Sequence, residues 1–181
     1  MRKTLLAVIA ACVCILFASC TQKPIESEGF VIKRGTNLSH WLSQSDARGE
    51  ERASRITEAD FARLAEAGFD HLRIPIDEEQ FWDEQGNKLP EAWDLLEMAL
   101  DNCQKYGLRA IVDLHIIRAH YFNAGFDGTK NTLFEDPAAQ EGLINLWYQL
   151  SDALKHHSTD YVAYEFMNEP VADDHEQWNQ L

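Results

Sequence analysis

The chain has 181 residues, of which 45% are hydrophobic, and a formal net charge of −14 at pH 7. This charge excludes nucleic acid and anionic lipid headgroups as expected partners, because both bind clusters of Lys and Arg. A neutral partner such as a glycan is compatible with it.

The first predicted element is an export signal at residues 1–19. Met1-Arg2-Lys3 is short and basic, residues 4–16 are apolar, and small residues precede Cys20. This pattern is typical of a bacterial lipoprotein, so we expect cleavage before Cys20 and a lipid on that residue. The protein would then be exported and held at the cell envelope, touching the membrane only through its lipid. Ordinary signal cleavage and an uncleaved anchor are the alternatives, although the apolar run is shorter than the roughly 20 residues that span a bilayer.

A polar tether at residues 20–29 is expected to lead into one domain at residues 30–181. Cys12 and Cys14 leave with the signal and Cys20 carries lipid, so Cys103 is the single ordinary thiol of the predicted mature chain. An intrachain disulfide and a four-cysteine metal site are therefore both excluded.

Predicted strands and helices alternate along this domain. Hydrophobic spacing, the capping-box pattern at Thr57 and the helix-ending glycines Gly68 and Gly107 define the elements. They are strand 29–38, helix 57–68, strand 71–75, helix 90–106, strand 110–114, helix 143–154 and strand 161–166. This order predicts a parallel α/β sheet with right-handed crossovers.

Each predicted strand ends in polar side chains or is followed directly by them. They are Asn37, His40 and Trp41 after the first, Arg73 at the second, Asp113 and His115 at the third, and Asn168 and Glu169 at the fourth. The fourth strand is the most informative, because an apolar run meets an Asn-Glu pair and stops at Pro170. Parallel strands bring their carboxyl ends to one rim, so this distribution favours an enzyme of barrel type.

Four segments carry a resemblance to glycoside hydrolase family five, the cellulase family of retaining β-glycanases. They are Gly35-Thr36-Asn37-Leu38-Ser39-His40-Trp41-Leu42, Leu72-Arg73-Ile74-Pro75, Asp113-Leu114-His115 and Asn168-Glu169-Pro170. The resemblance implies a (β/α)8 TIM barrel, of which this chain holds about the first four β/α units. It also implies endo-β-glucanase-type hydrolysis of a β-linked polysaccharide or oligosaccharide, without cofactor or metal.

The resemblance also implies roles for individual residues. Glu169 becomes the general acid/base, and Asn168 binds the sugar 2-hydroxyl. Arg73 holds the nucleophilic carboxylate, and His115 contacts the sugar at the cleavage point. Further substrate contacts are expected from Asn37, His40, Trp41, His120, Tyr121 and Asn123. The segment 116–120 departs from the Pro-Gly turn common in the family, and the acidic run 173–175 is expected to be solvated surface.

A complete barrel takes roughly 250 residues, so we expect this chain to be a truncated form whose nucleophile lies beyond Leu181. The fragment alone is then expected to be inactive, with an unpaired sheet edge. Glu165 does not fit the nucleophile role. Two alternatives are an inactive glycan-binding surface lipoprotein and a metal-dependent barrel hydrolase that uses Asp113, His115 and His120.

Overall fold

The structure is a computed structural model that describes residues 29–123 and 131–181. The predicted signal segment and the proposed lipidation site Cys20 lie outside the described residues. Within the two described ranges, no helix combines the length and the apolar character needed to span a bilayer.

Four parallel strands form one sheet in the order β1-β2-β3-β4. The strands are β1 (Gly35–Asn37), β2 (His71–Asp77), β3 (Arg109–Ile116) and β4 (Val162–Glu165). The helices are α1 (Gly49–Ala53), α2 (Glu58–Glu66), α3 (Glu78–Phe81), α4 (Pro90–Lys105), α5 (Pro137–Leu154) and α6 (His175–Trp178). The predicted alternation and parallel pairing are confirmed, and they match the first units of a (β/α) barrel.

The ends of α2 and α4 lie close to where local sequence signals predicted them, whereas α5 begins at Pro137, six residues before its predicted start at 143. The Asp60 carboxylate accepts a hydrogen bond of 2.9 Å from the Thr57 amide, as in a capping box. Gly68 and Gly107 follow α2 and α4 with φ angles of 82° and 72°, a backbone conformation that favours glycine. The short helices α1, α3 and α6 were not predicted, because four or five residues are too few to show a helical period.

The second strand is longer than predicted. Arg73 does not close β2, because the strand continues through Pro75 to Asp77. The Leu38 amide donates to the Arg73 carbonyl, and the Asp77 amide donates to the Leu42 carbonyl. The backbone N–H and C=O groups of odd-numbered residues in β2 therefore point towards β1 and the loop that follows it. β1 ends at Asn37, so no strand lies beside Pro75 on that side. The N–H that proline lacks would have had no strand partner there, and the sheet loses no hydrogen bond.

The sheet has one apolar face and one polar face. The apolar face packs against the helices and includes Leu72, Ile74, Val112 and Leu114, all fully buried. Successive strand residues alternate between faces, so the opposite face carries Arg73, Asp113, His115 and Glu165. Asp113 and His115 therefore lie within the second half of β3 rather than after it.

Candidate active site

Arg73 is the centre of the polar face. Its Nε and Nη2 atoms donate to the two carboxylate oxygens of Glu165, each at 2.7 Å. Nη2 also lies 2.8 Å from Oδ2 of Asp113. The strand register explains this meeting, because Asp113 pairs directly with Glu165 across β3 and β4. The hydrogen bond with Glu165, together with the charges of both carboxylates, raises the pKa of Arg73 although partial burial opposes the rise.

Asp113 extends the network towards the loop after β1. It is fully buried, and its Oδ2 lies 2.6 Å from Nδ1 of His115. The other ring nitrogen of His115, Nε2, lies 2.7 Å from the side-chain nitrogen of Gln44. Because an amide nitrogen only donates, His115 accepts there and donates through Nδ1 to Asp113. Burial raises the pKa of Asp113, while His115 and Arg73 oppose the rise.

Asn168 and Glu169 follow β4 directly and stand beside this network. Oδ1 of Asn168 accepts a 3.1 Å hydrogen bond from Arg73, so the arginine orients the amide. Glu169 is exposed and has a φ of 42°. A non-glycine residue in the left-handed region is strained, and such strain concentrates at functional sites. The loop thus holds one solvent-accessible carboxylate above an arginine-centred network.

A polar cavity of about 500 Å³ opens next to the network. Its lining includes loop residues after β1 and β3 and the end of β2, namely His40, Gln44, Asp77, Glu79, Arg118 and Tyr121. Of the predicted substrate contacts, His40 and Tyr121 line this cavity. Asn123 is exposed and donates to the Tyr121 hydroxyl at 3.4 Å. Asn37 is exposed at the end of β1.

Two predicted substrate contacts are placed elsewhere by the structure. The Trp41 side chain is fully buried in the core, and its indole N–H donates to the Arg52 carbonyl at 3.0 Å. Its ring faces are therefore closed to a sugar. His120 is also buried, and its Nε2 accepts a 3.1 Å hydrogen bond from the Val171 amide. It ties the loop after β3 to the loop that carries Glu169 instead of lining the cleft.

Gln44 and Asp77 are functional candidates that were not predicted, and Glu165 was considered only as an unsuitable nucleophile. Asp77 is buried, its Oδ2 accepts from the Gln44 amide at 2.7 Å, and its Oδ1 has no hydrogen-bond partner among the described residues. Burial raises the pKa of Asp77, and the Gln44 hydrogen bond opposes it. The alternation of side chains along a strand could have identified Asp77, since residues 73, 75 and 77 lie on the same face of β2.

The geometry does not support a metal held by Asp113, His115 and His120. Nε2 of His120 already accepts from the Val171 amide, and Oδ2 of Asp113 is shared between His115 and the Arg73 cation. The acidic run near residue 174 is exposed, as predicted. There Asp174 caps α6 by accepting from the Gln177 amide at 2.9 Å.

Comparison with known proteins adds independent information. The family model described as Cellulase (glycosyl hydrolase family 5) matches residues 25–181. Endoglucanase C of Acetivibrio thermocellus is 34% identical over 152 residues, which are 82% of this chain and 43% of the relative. Cellodextrinase A of Ruminococcus flavefaciens is 30% identical over 159 residues, which are 87% of this chain and 46% of the relative.

A similar solved structure is that of Thermotoga maritima Cel5A in complex with cellobiose. It has a TM-score of 0.64 and 25% identity, and the match covers 88% of this chain and 47% of that one. The chain therefore spans less than half the length of the relatives described here.

Proposed function

The chain belongs to the cellulase family, glycosyl hydrolase family 5, and from this premise we propose that the protein hydrolyses β-linked glucans. Relatives named as an endoglucanase and a cellodextrinase, and a structural neighbour bound to cellobiose, support this substrate class. The observation that carries the proposal is Glu169, an exposed carboxylate in a strained backbone conformation beside the arginine-centred network.

Glu169 acts as the general acid and base in this proposal. Its carboxyl proton passes to the glycosidic oxygen as the bond to the anomeric carbon breaks, and the leaving sugar departs as an alcohol. The resulting carboxylate then removes a proton from the water that releases the second sugar. Exposure at the rim gives Glu169 the access to substrate that both steps need.

Asn168 and Arg73 prepare the site for that chemistry. Arg73 donates a hydrogen bond of 3.1 Å to the side-chain oxygen of Asn168. The side-chain N–H₂ group of Asn168 takes no part in that bond and donates to the sugar 2-hydroxyl in this proposal. His115 is buried, and both of its ring nitrogens are engaged, by Asp113 and by the Gln44 side chain, so in this proposal it positions Gln44 beside the cleavage point. The bond to the 2-hydroxyl strengthens as the transition state forms, so Asn168 contributes to turnover.

A retaining mechanism also requires an attacking carboxylate. Both oxygens of Glu165 accept hydrogen bonds from Arg73 at 2.7 Å, which leaves neither free to attack, and Asp113 is fully buried. We propose that a residue outside the described part of the chain supplies the nucleophile. In this proposal Arg73 offsets the negative charges of Glu165 and Asp113 beside the attacking group.

The test is product analysis with the full-length protein and soluble β-glucans. We expect new reducing ends, and proton NMR should show that the first product keeps the β-configuration at its anomeric carbon. Inversion would contradict the covalent step, whereas saturable glucan binding without hydrolysis would favour the alternative of an inactive glycan-binding protein.

We also propose that Cys20 carries a lipid that anchors the protein at the cell envelope. The basic start, the apolar run and the small residues before Cys20 support this location. A Cys20→Ala variant should lose labelling by a fatty-acid analogue and leave the membrane fraction, while Cys103→Ala serves as the matched cysteine control. Retention of the Cys20→Ala variant in membranes would instead favour an uncleaved anchor.

A further inference from the structure

A cluster of two histidines and one glutamate lies away from the active site. His156 and His157 follow α5, and Glu97 lies on α4. Nε2 of His157 is 2.9 Å from Oε2 of Glu97, and Nε2 of His156 is 3.3 Å from the same oxygen. Both rings therefore point their Nε2 atoms at a single carboxylate oxygen.

Hydrogen bonding determines which nitrogen of His156 carries hydrogen. Nδ1 of His156 lies 3.0 Å from the Ala153 carbonyl oxygen. A carbonyl only accepts, so Nδ1 bears the hydrogen and the Nε2 of a neutral ring presents a lone pair. That lone pair faces Oε2 of Glu97, which is also electron-rich. A positive centre between the two atoms, either a proton on Nε2 or a metal ion, makes them stable neighbours at 3.3 Å.

The spacing fits a small divalent cation. Zn²⁺ binds histidine nitrogen and carboxylate oxygen at about 2.0–2.2 Å, which places two ligands of a tetrahedral site about 3.4 Å apart. Nε2 of His156 lies 3.3 Å from Oε2 of Glu97, and Nε2 of His157, hydrogen-bonded to that oxygen at 2.9 Å, would exchange this bond for one to the metal. The three ligand atoms here all lie within 4.8 Å of one another. The backbone hydrogen bond of His156 is also the outer contact that orients histidine ligands in metal sites.

The surroundings favour a cation and a stable arrangement. Asp94 and Asp101 lie one turn before and one turn after Glu97 on α4, and helical neighbours at these spacings share a face. The His157 side chain is only 5% exposed, whereas that of His156 is 59% exposed. One ligand is thus held rigidly, while the other remains open to solvent and allows a metal to enter.

We propose that Glu97, His156 and His157 form a zinc site that fastens α4 to the connection between α5 and β4. Two neutral nitrogens and one carboxylate oxygen suit Zn²⁺, and water completes the tetrahedron. This connection enters β4 at its amino end, opposite the rim that carries Glu169. The metal therefore stabilises the fold and takes no part in glycan cleavage.

Zinc titration of tag-free, full-length protein tests the site. Isothermal titration calorimetry should give one Zn²⁺ bound per chain, and ZnCl₂ should raise the midpoint of thermal unfolding. His156→Ala and Glu97→Gln should each weaken zinc binding at least tenfold and remove the thermal shift. Bound Co²⁺ should show the visible absorption of a tetrahedral site in the wild type only.

His175→Ala is the matched control, because His175 is another exposed histidine that lies outside the cluster. It should bind zinc like the wild type. His156→Ala should also match the wild type in metal-free thermal unfolding to within a few degrees, which shows that it folds. Absence of saturable zinc binding in the wild type would overturn the proposal, as would equal affinity in the wild type and His156→Ala.

Discussion

The two ends of the parallel sheet differ in how completely their carboxylates are hydrogen-bonded. At the amino end, the Asp70 carboxylate before β2 accepts hydrogen bonds from the Lys33 and Arg34 amides and contacts His71. At the carboxyl end, buried oxygens of Asp77 and Asp113 have no hydrogen-bond partner among the described residues. The carboxylate at the amino end is fully hydrogen-bonded, whereas the two at the carboxyl end each keep one buried oxygen unpaired among the described residues.

Backbone conformation shows the same difference. Gly68 and Gly107 take the left-handed conformations that follow α2 and α4 and lead into β2 and β3. In the loops after β1 and β4, His40, Gln44 and Glu169 take positive φ angles despite their side chains. Strain and unpaired polar atoms therefore coincide at the rim. Such features persist where function, rather than stability, has selected the residue.

Removing the proposed acid tests this contrast most strongly. Glu169→Gln should lower turnover on unactivated glucan by roughly 10²–10⁴-fold, because general acid catalysis is lost. Cleavage of aryl glycosides with good leaving groups should be spared at the first step. The free energy of unfolding should change by less than about 0.5 kcal/mol, since the residue is exposed. Steady-state kinetics on both substrates and urea unfolding of the full-length protein provide the measurements, and equal losses on both substrates would contradict the acid role.

Arginine substitutions at the two ends sharpen the comparison. Arg73→Gln should lower the free energy of unfolding by about 3 kcal/mol, because it leaves Glu165 and the buried Asp113 without their cation. Arg109→Gln at the amino end removes only donors to the Asp160 and Gly29 carbonyls and should lower it by about 1 kcal/mol. Urea unfolding at pH 7 checks both values. Similar losses for the two variants would show that the ends do not differ.

Substitution of Asp77 tests whether a buried carboxylate at the rim lowers the free energy of unfolding. Burial raises the pKa of Asp77 above 3.8, so the folded state binds this proton more tightly than the unfolded state does. The favourable contribution is present below pH 3.8 and is lost as pH rises through the folded pKa. Asp77→Asn should therefore be more stable than the wild type at pH 7, by about 1 kcal/mol, and similar to it in acid.

Urea unfolding across pH measures this difference, and glucan affinity should fall in the same variant because Asp77 lines the polar cavity. A variant less stable than the wild type at pH 7 would show that the Asp77 charge is stabilising. Asp46→Asn is the control, because it removes a different carboxylate that lines the same cavity.

Asp70→Asn gives an expected effect similar in size to that of Asp77→Asn and opposite in sign. Partial burial alone would raise the pKa of Asp70, but hydrogen bonds from His71 and two backbone amides lower it to about 2. This contribution is complete above pH 3.8 and is lost as pH falls towards 2. Asp70→Asn should lower the free energy of unfolding by about 1 kcal/mol at pH 7, and the gap should close in acid. Exposed Glu84→Gln should change little, and a pH-independent gap for Asp70→Asn would rule out the carboxylate as its cause.

Local signals in the sequence determined the elements and their order. The Thr57 capping box, the Gly68 and Gly107 stops and the apolar spacing of α4 all act within a few residues, so the sequence alone reveals them. The strand alternation, the parallel sheet and the rim location of Asn168 and Glu169 followed from these signals. The family resemblance followed from the four motifs.

Only the tertiary structure decided which polar groups meet and which side chains are buried. Arg73 and Glu165 are 92 residues apart in sequence, and their contact depends on the register of three strands. Trp41 and His120 follow strands as the proposed catalytic residues do, yet packing encloses both. The cluster of Glu97 with His156 and His157 likewise brings together α4 and the turn after α5. Burial and register are properties of the assembled chain, so local patterns do not determine them.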